Sequence, residues 1–375
     1  MKKKVKQDLT EPIFKVSQNL ARAAEIAIHH VLAVKNGEHV LIITNPEGDV
    51  YKVSEALYVA CVKAKAAPTM LVQPMKTSFD NAEPAVINAL RTEPEVIISI
   101  SAERLGKDKE ALAKPYTGLD GKPYTHIFDQ LIEGAKKSRS FWSPTVTVDM
   151  FVRAVPIDYV ALKENCAKAE ASFKRARIVH VQTDLGTNIT VGVEGRKAKS
   201  DDGDCRKPGK GGNLPAGEVF ISPKLGASNG VIVFDGSITL DKTIVIKKPV
   251  KVTVENGHVT KVEGGNEAKK LQAYLHEAGE RPYEMAKKGE LTMDKAKEYS
   301  KNATNLGELG IGMNPKAKIV GNALEDEKVL GTVHFAIGSN YDQDALALIH
   351  SDGIVKNPTL TIDGKTIMKK GKMLL

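Results

Sequence analysis

Apolar side chains recur at helical spacing over residues 19–33, and Lys35-Asn36-Gly37 supplies a stop. Residues 39–44 (HVLIIT) form a continuous apolar run, which predicts a strand. Asn45-Pro46-Glu47-Gly48 predicts a turn, and 51–65 is helical again. The alternation continues with a strand at 69–73, a helix at 84–91 and a strand at 95–101. Apolar strands alternating with helices predict a parallel sheet covered on both faces. Residues 107–156 are less regular, with a helix expected at 127–137 and the only tryptophan at Trp142. An Ala-, Lys- and Glu-rich helix is expected within 157–176, where it connects two domains.

From Arg177 the pattern changes to short strands and turns. Strands are predicted at 178–182, 188–193, 218–222, 231–234, 243–246 and 251–254. Asp184-Leu185-Gly186, Asp201-Asp202-Gly203, Asp235-Gly236 and Glu255-Asn256-Gly257 separate them. A helical insert is expected at about 266–302, and 359–367 reads as a hairpin through Asp363-Gly364. The fold class is therefore α/β: an N-terminal α/β domain (1–156) with a mainly parallel sheet, and a C-terminal β-rich, α+β domain (177–375).

With 375 residues the chain is long enough for two domains, and no apolar run approaches the roughly 20 residues that span a bilayer. The basic start, Met1-Lys2-Lys3-Lys4-Val5-Lys6, is followed by polar residues, so no signal peptide is expected. A net charge of +8 raises the question of nucleic acid, but the lysines are scattered, aromatics are few and no recognition motif is present. Cys61, Cys166 and Cys205 form no CxxC pair, which points to a reducing cytoplasm and away from a thiolate metal site. The loop after the first strand lacks the glycine fingerprint of a dinucleotide site, so no organic cofactor is expected there.

The candidate chemistry lies between Glu308 and Asp352, with Glu218 upstream. Gly307-Glu308-Leu309-Gly310-Ile311-Gly312, Thr332-Val333-His334-Phe335-Ala336-Ile337-Gly338 and His350-Ser351-Asp352 set carboxylates and imidazoles among apolar residues and glycines. Burying such groups unpaired is costly, and a divalent metal compensates them directly. His350 and Asp352, two apart on a strand, would face the same way about 6–7 Å apart. Each residue also has a plain reading. Glu218 opens a strand, where a Glu is ordinarily solvated, and His334 alone reads as a hydrogen-bonded core histidine. Asp352-Gly353 is a turn signal in its own right.

These blocks, with Gly212-Asn213-Leu214-Pro215-Ala216-Gly217-Glu218-Val219-Phe220 before them, resemble in order and spacing the thermophilic metallo-aminopeptidases of the aminopeptidase T and aminopeptidase S group. The resemblance runs from about Arg177 to the C-terminus, and more loosely across the first half. It implies that Glu218, Glu308, His334, His350 and Asp352 bind two divalent ions (Zn, Co, Mn or Mg). It further implies Tyr341 beside the catalytic centre, Glu327 as general base, a peptide substrate with a free N-terminus, and a homodimer. Two ions about 3.5–4 Å apart would activate a shared water. The spacing of Glu325-Asp326-Glu327 to the histidine and the insert within 276–302 depart from the family pattern.

A second enzyme class fits part of the same set. His334, His350 and Asp352 make the two-His, one-carboxylate pattern of non-haem Fe(II) oxygenases. The dihydroxypyridine ring-cleaving dioxygenases resemble distant relatives of the same fold. A third reading is a non-catalytic binding protein on this scaffold.

Overall fold

The computed structural model describes residues 14–375; the basic start at 1–6 lies outside the described residues. Two units are formed, one by 14–159 with 203–215, the other by 160–202 with 216–375. No helix among the described residues is long and apolar enough to cross a membrane.

The first unit is built on a five-stranded sheet in the order Gly211–Asn213, Arg139–Trp142, Val96–Ile100, His39–Thr44, Ala67–Val72. All of its pairings are parallel. The apolar runs explain this: every residue of Val96–Ile100 is buried, as strands covered on both faces require. Leu41, Ile43 and Ile97 pack with Val86, Leu90, Phe128 and Leu131 from the covering helices. The first helix is α-helical over Gln18–Ile26 and widens to a π turn over Ala27–Val31. Arg139 ties its strand to residues 32–38 ahead of the His39–Thr44 strand. Its guanidinium is 2.5 and 3.0 Å from the Glu38 carboxylate, and its Nε donates to Leu32 O at 2.7 Å. The sequence reading placed 203–215 in the β-rich domain. Here Gly211–Asn213 joins the parallel sheet instead, through pairing with Arg139–Trp142 that no local pattern announces.

The second unit carries two antiparallel sheets. One has eight strands and ends in the hairpin between Thr359–Ile362 and Lys365–Lys369, turned by Asp363 and Gly364 as predicted. The helical insert forms Asn266–Lys287 and Met293–Asn302. The other sheet has seven strands in the order Thr243–Val245, Ser237–Thr239, His350–Lys356, Thr332–Gly338, Leu306–Gly312, Glu218–Ile221, Lys199–Asp201. Its central strands Leu306–Gly312 and Thr332–Gly338 are buried throughout. Cys61, Cys166 and Cys205 are buried and form no disulfide among the described residues.

Candidate metal centre

Strand register gathers the polar residues. Glu308 stands opposite Ala336 and Ala336 opposite Asp352; Gly310 stands opposite His334, Gly312 opposite Glu218, and Gly338 opposite His350. Directly paired residues of an antiparallel sheet project to the same face, as do residues two apart on one strand. Glu218, Glu308, His334, His350 and Asp352 therefore share one face of four adjacent strands. Each has a glycine or alanine as a cross-strand partner on one side, while Glu218 also pairs with Asp201 and His334 with Ile354.

This accounts for the spacing Glu-x-Gly-x-Gly. Leu309 and Ile311 fill the opposite face of the sheet, while Gly310 leaves room for an imidazole. A Cβ on Gly310 would come within 1.9 Å of His334 Nε2.

The polar groups close into a ring in which acid and base alternate except where Asp352 meets Glu327. Lys328 Nζ lies 2.6 Å from Glu218 Oε1, and Glu218 Oε2 is 3.5 Å from His334 Nε2. His334 Nε2 is 2.8 Å from Glu308 Oε1, and Glu308 Oε2 is 3.7 Å from His350 Nε2. His350 Nε2 is 3.4 Å from Asp352 Oδ1, and its Nδ1 donates to Ser339 O at 2.9 Å, which fixes the ring's orientation. Asp352 is hydrogen-bonded to Glu327, whose Oε2 is 3.3 Å from Lys328 Nζ.

Opposed effects set the protonation. Burial raises the Asp352 pKa, but the charge of His350 and the hydrogen bond with it prevail and hold it down at about 2. Burial would lower both histidines; acidic neighbours outweigh it, Glu308 above all for His334 and Asp352 for His350. The imidazoles rise to about 9 and about 10 respectively. Burial together with the Asp352 charge pushes Glu327 well above the carboxylate range. Burial opposes the charge on Lys328, but Glu218 and Glu327 keep it protonated.

The donor set fits a cation. Glu218 Oε2, Glu308 Oε2, His334 Nδ1 and Asp352 Oδ1 are buried without a hydrogen-bond partner, a costly state that ligation relieves for the carboxylates. Two groups bring their ligand atoms within 4.8 Å of one another: Glu218, Glu308 and His334, and Glu308, His350 and Asp352. The triad His334, His350 and Asp352 considered above is not one of them. Glu308 intervenes, bonded to His334 and facing His350.

Tyr341 borders this centre half-exposed, its ring 5.3 Å from that of His350 and 4.8 Å from that of Phe220. Lys199 Nζ lies 5.9 Å from the Tyr341 ring centroid. Sequence reasoning missed Lys328, Phe220 and Lys199. The clue to Lys328 was its place between the acidic run Glu325-Asp326-Glu327 and the apolar Val329-Leu330, where a lysine at a buried turn needs acidic partners.

Among solved structures, the fold resembles 2,5-dihydroxypyridine dioxygenase from Pseudomonas putida, with a TM-score of 0.72 and 17% identity over 96% of this chain and 98% of that one. It also resembles AmpT from Thermus thermophilus, with a TM-score of 0.64 and 17% identity over 95% and 99%. At that identity both likenesses speak to the fold alone. A curated relative from Pseudomonas putida, 2,5-dihydroxypyridine 5,6-dioxygenase, is 28% identical over 114 residues. That alignment spans 30% of this chain and about a third of the relative's length (33%). These findings overturn the aminopeptidase and hydrolase expectation, because the blocks that carried it are shared by fold and not by reaction. The family model for NicX, 2,5-dihydroxypyridine 5,6-dioxygenase, matches residues 146–375, and over that majority of its length, every donor of the centre included, the chain belongs to the NicX family.

Proposed function

We propose that this chain is a metal-dependent ring-cleaving dioxygenase acting on a dihydroxylated pyridine. The observation that carries the reading is the donor cluster of Glu308, His350 and Asp352, lying wholly within the segment matched by the NicX model. The ion would be held by these three residues. A redox-active divalent ion bound there would supply electron transfer between the aromatic ring and dioxygen, which no side chain of the centre provides.

The chain's own residues do the remaining work. His334 donates to Glu308 Oε1 and fixes that carboxylate. Ser339 O holds the His350 Nδ1–H, directing Nε2 to the centre. Tyr341 and Phe220 offer aromatic surfaces beside His350 against which a planar substrate ring can lie. Lys199 supplies a cation at the same border for an ionised ring oxygen. Glu327 stands against Asp352, where it can take up or return a proton. A dioxygenase adds both oxygen atoms to its substrate, so the reaction needs no external reductant. Two ions per chain would require the Glu218, Glu308 and His334 set as well; ring cleavage requires one ion.

The test is oxygen uptake by chelator-stripped protein reloaded with Fe(II), with 2,5-dihydroxypyridine as substrate. One dioxygen should be consumed per ring opened, and none after chelation. Asp352→Asn should lower the rate by about 100-fold or more, as expected where a ligand is lost. Metal-loaded protein that consumes no oxygen with any dihydroxypyridine isomer would overturn the reading.

A further inference from the structure

In both donor groups the ligand atoms lie within 4.8 Å of one another, so spacing alone would admit an ion at each. Their surroundings differ. Lys328 is fully buried, with Nζ 2.6 Å from Glu218 Oε1 and 3.3 Å from Glu327 Oε2. Against Glu308, His350 and Asp352 the contacts are imidazoles, the Glu327 carboxyl and the Ser339 carbonyl. An ammonium has three donors and no lone pair, so it cannot ligate, yet it offsets carboxylate charge as a cation does.

We propose that Lys328 takes the place of a second metal ion in the Glu218 half of the ring, so that the chain binds one ion, at Glu308, His350 and Asp352. The proposal rests on the metal centre described above and not on the identity of the substrate. Four carboxylates converge here: Glu218, Glu308, Glu327 and Asp352. Lys328 offsets the charge of Glu218, and a single divalent ion offsets those of its two carboxylate ligands, Glu308 and Asp352. A further dication at Glu218 would stand about 4 Å from the ammonium. Even at an effective dielectric constant near 20, that repulsion weakens its binding by more than about a thousandfold. Glu218 is then a positioning residue. It is held through Oε1 by Lys328 and faces His334 through Oε2, and His334 in turn orients the ligand Glu308.

Chelator-stripped full-length protein is dialysed to equilibrium against Mn(II), and bound ions are counted by elemental analysis. Wild type and Lys328→Arg should each bind one ion per chain, and Lys328→Met two. Two ions in the wild type, or one in a folded Lys328→Met, overturns the proposal and leaves metal dependence standing. No ion in the wild type overturns the metal centre and this proposal together. If Lys328→Met does not fold, Glu218→Gln decides. It should retain its single ion with affinity lowered by about 10–100-fold, and loss of that ion overturns the proposal.

Discussion

Gly310 shows how one position without a side chain permits the centre. Its partner across the strands is His334, and a methyl group there would collide with Nε2 at 1.9 Å. The imidazole would have to leave Glu308, and the sheet is buried on both strands at that point. Gly310→Ala should therefore destabilise the protein by about 1–3 kcal/mol through overpacking. Metal affinity should fall by tenfold or more, read by thermal denaturation and Mn(II) titration. Unchanged affinity would mean that the His334–Glu308 contact does not shape the centre. A second residue-scale prediction concerns Arg139 and Glu38. Burial raises the Glu38 carboxyl, but the hydrogen bond and charge of Arg139 lower it below its ordinary value of 4.5. The pair's contribution is thus fully present above pH 4.5 and is lost as pH falls through the lower, folded pKa. Arg139→Met should cost roughly 3 kcal/mol at pH 7 by urea denaturation. The gap from wild type should narrow as the pH approaches 3; a gap independent of pH would refute the ion pair's role.

At the scale of elements, the acidic run before the His334 strand divides its labour. Asp326 accepts from Val320 N at 2.7 Å and Gly321 N at 3.0 Å, and Glu325 accepts from Lys318 N at 2.9 Å. These two carboxylates tie down the 318–321 loop, and only Glu327 reaches the centre. Asp326→Ala should cost about 1–3 kcal/mol by leaving buried N–H groups unpaired, yet leave the metal count of the protein unchanged. A lost ion would show that the loop is part of the centre. The run illustrates what the sequence allowed. Continuous apolar strands such as Val96–Ile100 and the Asp363-Gly364 hairpin were legible, because local pattern and burial agree there. The strands Lys199–Asp201, Gly211–Asn213 and Ser237–Thr239 were not. Each is three residues long; the first two exist through partners distant in the chain, and Ser237–Thr239 through its neighbour Thr243–Val245 and the distant Gly353. Glu218 reads as solvated because it opens its strand; pairing with Asp201 on one side and Gly312 on the other buries it. Asp352-Gly353 read equally well as a turn. It lies inside His350–Lys356, where Gly353 admits the Phe234 ring that a Cβ would meet at 2.4 Å.

At the scale of the molecule, the same glutamate, histidine and His-x-Asp blocks served two expectations, a hydrolase and an oxygenase. They report the sheet that presents the donors, and such a sheet can host unrelated reactions. Likeness to both a dihydroxypyridine dioxygenase and AmpT is the structural form of that ambiguity, and the family match over 146–375 places the chain with the NicX family. Every donor belongs to the unit formed by 160–202 and 216–375. A ligand stabilises the state that binds it, by about 2.7 kcal/mol at a concentration a hundred times Kd. Metal should therefore protect one unit and not the other. In hydrogen exchange with Mn(II) at that excess, amides of Leu306–Gly312, Thr332–Gly338 and His350–Lys356 should exchange up to about a hundredfold more slowly. Amides of His39–Thr44 and Val96–Ile100 should keep their metal-free rates, because no donor lies in their unit. Chelation should reverse the protection. Equal slowing of both sets of strands, or none in the first, would refute this assignment of the metal to the seven-stranded sheet.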